Sequence, residues 1–136
     1  MKPLISYITL GVDDLQRSLA FYRDLLGFPT DGIVGEAYDY GAVVFFKMTN
    51  GQVLALWERK SIAADCGVTQ GTPDPTAFML AHNVSGKDEV DQLMNELARA
   101  GTHICKPARK LAWGGYGGVF QDPDQHLWEV VYNPNS

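Results

Sequence analysis

The segment His126-Leu127-Trp128-Glu129-Val130-Val131-Tyr132 sets a single carboxylate among large apolar residues. Taking a carboxylate out of water is costly unless it meets a partner, so Glu129 either sits at a wet rim or serves a site. The alternation is that of a strand, where successive side chains point to opposite faces. If Trp128 and Val130 pack against a helix layer, Leu127, Glu129 and Val131 share the other face. A carboxylate there can accept a hydrogen bond or a proton from a ligand, which makes Glu129 the candidate catalytic residue and polar anchor.

The remaining chemistry-bearing residues are sparser. His126 stands one residue past a turn, where a polar side chain is solvated or bonds to turn backbone. His103 begins a strand beside Gly101 and is read as exposed. His82, in Met-Leu-Ala-His-Asn-Val, faces either the helix layer as a satisfied core histidine or the ligand site. Cys66 and Cys105 match no metal-ligand or redox spacing, and neither has a partner from which a nucleophile could be argued. Trp113, Tyr116 and the pairs Gly114-Gly115 and Gly117-Gly118 form an aromatic and glycine cluster ahead of the last hairpin. Such glycines mark bulges or close approaches, and their spacing is not that of a phosphate-binding loop. Trp57 shares the strand parity of Ala55 and is a candidate wall residue, whereas Phe21 and Tyr22 read as core.

The elements that must position these residues are written twice. Residues 5–12 alternate as a strand. A helix follows, with Asp13 as cap, Leu15, Leu19, Tyr22 and Leu26 on one face, and Gly27 as the stop. Strands are expected near 33–38, at 42–48 and at 52–58, the last two joined by the hairpin turn Asn50-Gly51. The order then recurs: a strand at 77–84, a helix capped by Ser85 with Val90, Leu93, Met94 and Leu97 buried and Gly101 at its end, then strands that close in the turn Asp122-Pro123-Asp124-Gln125 and the segment 126–132. The offset between copies is 72 residues from Val12 to Val84 and 74 from Gly27 to Gly101, so one strand-helix-three-strand unit is repeated. The first module spans 1–58 and the second 76–136. Residues 59–75, without clear periodicity, read as a linker or a lid. Four strands and one helix leave the second sheet face uncovered, so the modules are expected to pair, within the chain or across a dimer, around a concave surface.

Composition narrows the classes. At 136 residues, 46% hydrophobic and 20% charged, the chain suits one globular domain. A net charge of -5 opposes binding to phosphate backbones or anionic lipid, and no apolar run is long enough to span a membrane. The expected setting is the cytoplasm, with no nucleic-acid or membrane partner.

The repeat, with LGVDDLQRSLAFYRDLLGF in the first half and GGVFQDPDQHLWEVVYNP in the second, resembles the vicinal oxygen chelate superfamily, which includes glyoxalase I, extradiol dioxygenases and bleomycin- and fosfomycin-resistance proteins. The resemblance covers essentially the whole chain. It implies an α+β fold of two βαβββ modules, each a curled mixed sheet with an outer helix, pairing to form a cup with a small-molecule site inside. It also implies a divalent metal held by one residue from the first and one from the last strand of each module. Carried over, those positions fall on Tyr7, Ala55, Met79 (Phe78 in a shifted register) and Glu129. Glu129 alone matches, and an apolar donor set does not hold a divalent ion. The expectation is therefore a protein that binds a small organic ligand with no cofactor and no metal ligands. Glu129 is its anchor, Tyr7, Thr9, Trp57, Met79, His82, Trp113 and Tyr116 contribute to binding, and the overall charge favours a neutral or cationic guest. The alternative is a divalent-metal enzyme of the lactoylglutathione lyase or extradiol dioxygenase type, with Glu58 or His82 reaching the metal in a shifted register. A homodimer is expected in either case.

Overall fold

A computed structural model describes residues 1–136. The chain divides into two compact units, Met1–Thr72 and Pro73–Ser136. In the first, β1 (Tyr7–Val12) leads into α1 (Leu15–Leu19), which continues as a π-helical segment (Ala20–Leu25). Strands β2 (Thr30–Val34), β3 (Val43–Lys47) and β4 (Val53–Glu58) follow, and then α2 (Arg59–Cys66). In the second, β5 (Met79–Val84), α3 (Lys87–Arg99), β6 (His103–Lys110), β7 (Tyr116–Gln121) and β8 (Leu127–Tyr132) repeat the order. The two sheets have the same topology, β1-β4-β3-β2 and β5-β8-β7-β6. In each, the first strand returns parallel to the last while the other pairs are antiparallel. These are the two βαβββ modules.

One sheet face in each unit is closed by a helix. In the first, Leu10, Val12, Val44, Phe46, Leu54 and Leu56 are buried. Tyr22 from the π-helical segment packs on Phe46 with ring centroids 5.9 Å apart, and Phe28 completes the cluster. The helical spacing read from sequence extends one turn too far. Leu26 N–H bonds back to the Phe21 carbonyl at 3.1 Å, an i to i+5 bond. That wider turn rotates the chain, so Leu15, Ser18, Leu19 and Tyr22 are buried and Leu26 is only half-buried. The cap also differs. Asp14 accepts from the Arg17 N–H at 3.1 Å, while Asp13 pairs with Arg59. In the second unit Gly86 occupies the cap position of α3, and Ser85 bonds to the Glu89 carboxylate instead. Val90, Met94 and Leu97 of α3 are buried, as are Phe120, Trp128 and Val130 of the sheet, with Phe120 and Trp128 stacked at 6.0 Å.

Residues 59–66 are helical, a departure from the structureless linker expected. An eight-residue helix lies below the length at which periodicity is readable, and α2 is held by tertiary contacts rather than by its own propensity. It ends at Gly67, whose φ is +71°, and rests on β1 and β4 where Gly11 has no side chain: a Cβ there would lie 3.0 Å from the Arg59 side chain.

The β7–β8 hairpin is locked from both ends. The Asp122 side chain is fully buried and accepts from the N–H groups of Asp124 (2.9 Å) and His126 (2.8 Å) and from His126 Nδ1 (2.7 Å). At the other end, a Cβ on Gly117 would lie 2.7 Å from the Val130 carbonyl oxygen, and one on Gly118 the same distance from Met94 Cε. The glycines are thus clearances for the chain itself.

Asp122→Ala is expected to destabilise the protein by about 2–3 kcal/mol, because it leaves buried donors without an acceptor. Asp122→Asn, which keeps an acceptor oxygen, is expected to cost less. Gly117→Ala should cost about 1–3 kcal/mol through overpacking against backbone. Urea unfolding of the three variants measures these differences.

Candidate functional site

The helix between the first two strands of each module covers one face of its sheet, and the other face is where side chains are free to meet a ligand, apart from the end of the first sheet where α2 rests on Gly11. In the first unit cross-strand partners define that face. Thr9 pairs with Ala55, which pairs with Phe45; Tyr7 pairs with Val53, and Gly11 with Trp57. Tyr7, 60% exposed, meets Phe45 edge-on with centroids 6.1 Å apart. The Trp57 indole N–H donates to the Tyr40 carbonyl at 2.7 Å, which ties the β2–β3 loop to the end of this face. Tyr7, Thr9 and Trp57 therefore share one aromatic-walled surface.

In the second unit β8 lies between β5 and β7, so Glu129 occupies an interior strand whose backbone is bonded on both sides. It pairs with Ala81 on one flank and Val119 on the other, and with Met79, Leu127 and Val131 it lies on the face opposite Trp128 and Val130. Glu129 is half-buried between these two small or apolar flanks.

Not all the residues singled out in the sequence come to these faces. His82 pairs with Val130 and shares the face that α3 covers. With Glu89, Gln92 and Glu96 it lines a shallow depression of about 190 Å³ beside that helix, away from Glu129. Tyr116 also faces α3, and its hydroxyl donates to Asp91 at 2.5 Å with Lys87 over its ring. Trp113 lies in the loop before β7, 54% exposed, folded over Gly115, where a Cβ would overlap its ring. His126 is held by Asp122 in the turn, and burial raises the Cys105 thiol above its ordinary range, which disfavours it as a nucleophile.

Sequence reasoning missed one group. His103, Lys106 and Arg109 on β6 pair with Gln121, Val119 and Gly117, all residues of the Glu129 face. The signal was the basic run from Lys106 to Lys110. Its orientation was hidden because two register shifts interrupt the alternation of that strand.

Comparison with known proteins agrees with this architecture. Residues 4–130 match the family model described as Glyoxalase/Bleomycin resistance protein/Dioxygenase superfamily. The chain belongs to that superfamily. It is similar to the crystal structure of a glyoxalase-related enzyme from Fulvimarina pelagi, with 36% identity, 97% of this chain and 89% of that chain covered, and a TM-score of 0.82. A likeness in fold alone extends to the fosfomycin resistance protein FosX from Listeria monocytogenes, at 23% identity over 98% of this chain and 95% of that one, with a TM-score of 0.72. Among curated proteins it is 28% identical over 128 residues to the uncharacterized protein YraH of Bacillus subtilis (strain 168), covering 90% of this chain and 93% of that protein.

The superfamily's metal positions give a direct test of fit. Tyr7 and Ala55 lie on the open face of the first unit, and Met79 and Glu129 on that of the second. Three of these four side chains are a phenol, a methyl and a thioether, and no three His, Cys, Asp or Glu side chains converge in the chain. This donor set does not fit a divalent ion that prefers several nitrogen or oxygen ligands.

The bond to Asp91 raises the Tyr116 phenol above its ordinary value near 10. The folded state therefore keeps this proton where the unfolded chain has begun to lose it, and stability from the pair is present below about pH 10 and lost as pH rises through the folded value. In a tyrosinate absorbance titration, the contribution of Tyr116, read as the difference between the protein and Tyr116→Phe, is expected above the ordinary tyrosine range. Asp91→Ala is expected to bring it down.

Proposed function

We propose that this protein binds a small organic ligand through Glu129 without metal chelation. The carrying observation is the placement of Glu129: a carboxylate in an interior strand, on the open sheet face, between Ala81 and Val119. A group so placed accepts a hydrogen bond or a proton from a ligand. If the bound molecule reacts, Glu129 acts as general base, since it is the titratable group facing the ligand from the centre of the sheet. Met79 and Leu127 supply apolar contact beside it, and Tyr7, Thr9 and Trp57 form a separate aromatic-walled face within the first unit. His82, Trp113 and Tyr116 contribute less directly, because two of them lie on the α3 side and the third caps a loop.

The setting that goes with this reading is a reducing, cytoplasmic one, supported by the two free cysteines Cys66 and Cys105. No helix is long and apolar enough to cross a membrane, and the acidic surface argues against nucleic acid. A homodimer is the assembly we favour, to be read from sedimentation velocity.

A second reading, a divalent-metal enzyme of the lactoylglutathione lyase or extradiol dioxygenase type, draws support from the 36% identity to a glyoxalase-related enzyme. The two separate in one experiment. Purified protein is analysed for Ni, Zn, Fe and Mn, and its thermal unfolding is followed with those ions and with a panel of small organic acids, amines and amides. The ligand-binding reading expects substoichiometric metal, no stabilisation by the ions, and stabilisation by at least one organic compound. A compound present at 100 times its Kd contributes about 2.7 kcal/mol, a shift of several degrees, which Glu129→Gln should abolish. Stoichiometric metal in the purified protein would establish the enzyme reading instead.

A further inference from the structure

The face that carries Glu129 is also lined along one edge by basic side chains. His103, Lys106 and Arg109 are spaced three residues apart, and in an unbroken strand such residues point alternately to opposite faces. Here they do not. The pairing of β6 with β7 shifts register between Ile104 and Lys106 and again between Lys106 and Arg109, so all three stand opposite residues of the open face, namely Gln121, Val119 and Gly117. Bulges re-aim side chains in this way next to sites. Basic residues scattered over both faces would suffice to deter pairing at an edge strand, whereas two interruptions that gather them on the Glu129 face call for a different account.

The charges are also available. No carboxylate is paired with Lys106 or Arg109, and Arg109 spends one N–H on the Gly117 carbonyl at 3.1 Å, leaving the rest of the guanidinium fork for a ligand. Across the sheet Lys106 pairs with Val119, and Val119 with Glu129. The acid and the nearest base are thus two strand spacings apart, about 10 Å between backbones, with an apolar valine between them. In a chain of net charge -5 this edge is a local positive field beside a single negative group.

Resting on the ligand-binding reading above, we propose that the ligand is bipolar: an organic acid whose anionic end lies over Lys106 and Arg109, whose hydrocarbon body crosses Val119, and whose amine or hydroxyl end meets Glu129. The overall charge of the chain favours a neutral or cationic guest, but binding is decided by the groups within a Debye length of the ligand, and on this face both signs are present.

Three related compounds test it: 4-(aminomethyl)benzoate, which carries both ends, 4-methylbenzoate, which lacks the amine, and 4-methylbenzylamine, which lacks the carboxylate. Binding to the full chain is measured by isothermal titration calorimetry at low salt. The bipolar compound is expected to bind at least tenfold more tightly than either half. Lys106→Gln combined with Arg109→Gln should weaken it about tenfold while leaving the benzylamine unchanged, and Glu129→Gln should do the reverse with the benzoate unchanged. Equal binding of the bipolar compound and the benzylamine, insensitivity to the Lys106 and Arg109 changes, or no binding by any of the three overturns the proposal. If a compound from the wider thermal panel still binds in a Glu129-dependent way, the bipolar assignment alone falls; if none does, the ligand-binding reading falls with it. Circular dichroism of the variants, all altered at side chains outside the buried core, controls for folding.

Discussion

The parallel pairing of the first strand of each module with its last is the constraint on which the rest depends. To lie beside β4 and run the same way, β1 must be followed by a crossover, and the helix that supplies it settles on one face of the sheet. β5 and β8 obey the same geometry around α3. The pairing does two things at once. It covers one face with a helix and leaves the other open, and it turns the closing strand into an interior one with a neighbour on each side. Glu129 inherits both consequences: its backbone is fixed by β5 and β7, and its side chain belongs to the open face.

Fixing the backbone would achieve little if the register could slip, since a shift of one residue would exchange Glu129 for Trp128. Two local devices prevent it. The Asp122 carboxylate, buried in the turn, gathers two backbone N–H groups and the His126 ring. At the far end of the hairpin, Gly117 lets the β8 backbone approach more closely than a side chain would permit, and Gly118 leaves room for Met94 of α3. The polar turn and the steric clearances hold one alignment between them, and both act on the strand that carries the carboxylate.

The chemistry follows from geometry. A carboxylate on an open sheet face, flanked by alanine and valine, presents its acceptor oxygens to whatever donor reaches it. The first unit places Ala55, paired with Thr9, where the second places Glu129, paired with Ala81. The duplicated architecture thus carries different side chains at equivalent positions of the two sheets, a methyl in the first and a carboxylate in the second.

Much of the fold was legible because hydrophobic periodicity and turn chemistry are local. The strand-helix-three-strand repeat, the Asn50-Gly51 hairpin, the glycine stops at Gly27 and Gly101 and the side of the sheet to which Glu129 belongs all follow from residues within a turn or two of one another. The details that escaped are those set by distant partners. Asp13 and Asp14 are equivalent as caps until Arg59 claims the first. Residues 59–66 become a helix through contact with β1 and β4, Tyr116 turns to α3 because Asp91 awaits it there, and the cations of β6 share a face because two bulges interrupt its pairing. The sequence by itself determined the repeated order of strand, helix and three strands and which carboxylate lies opposite the core, since alternation is a property of neighbouring residues. Only the tertiary structure decided which histidine, tyrosine and lysine residues fall on the same sheet face as that carboxylate, because register shifts and long-range hydrogen bonds are settled between segments that no short stretch of chain contains.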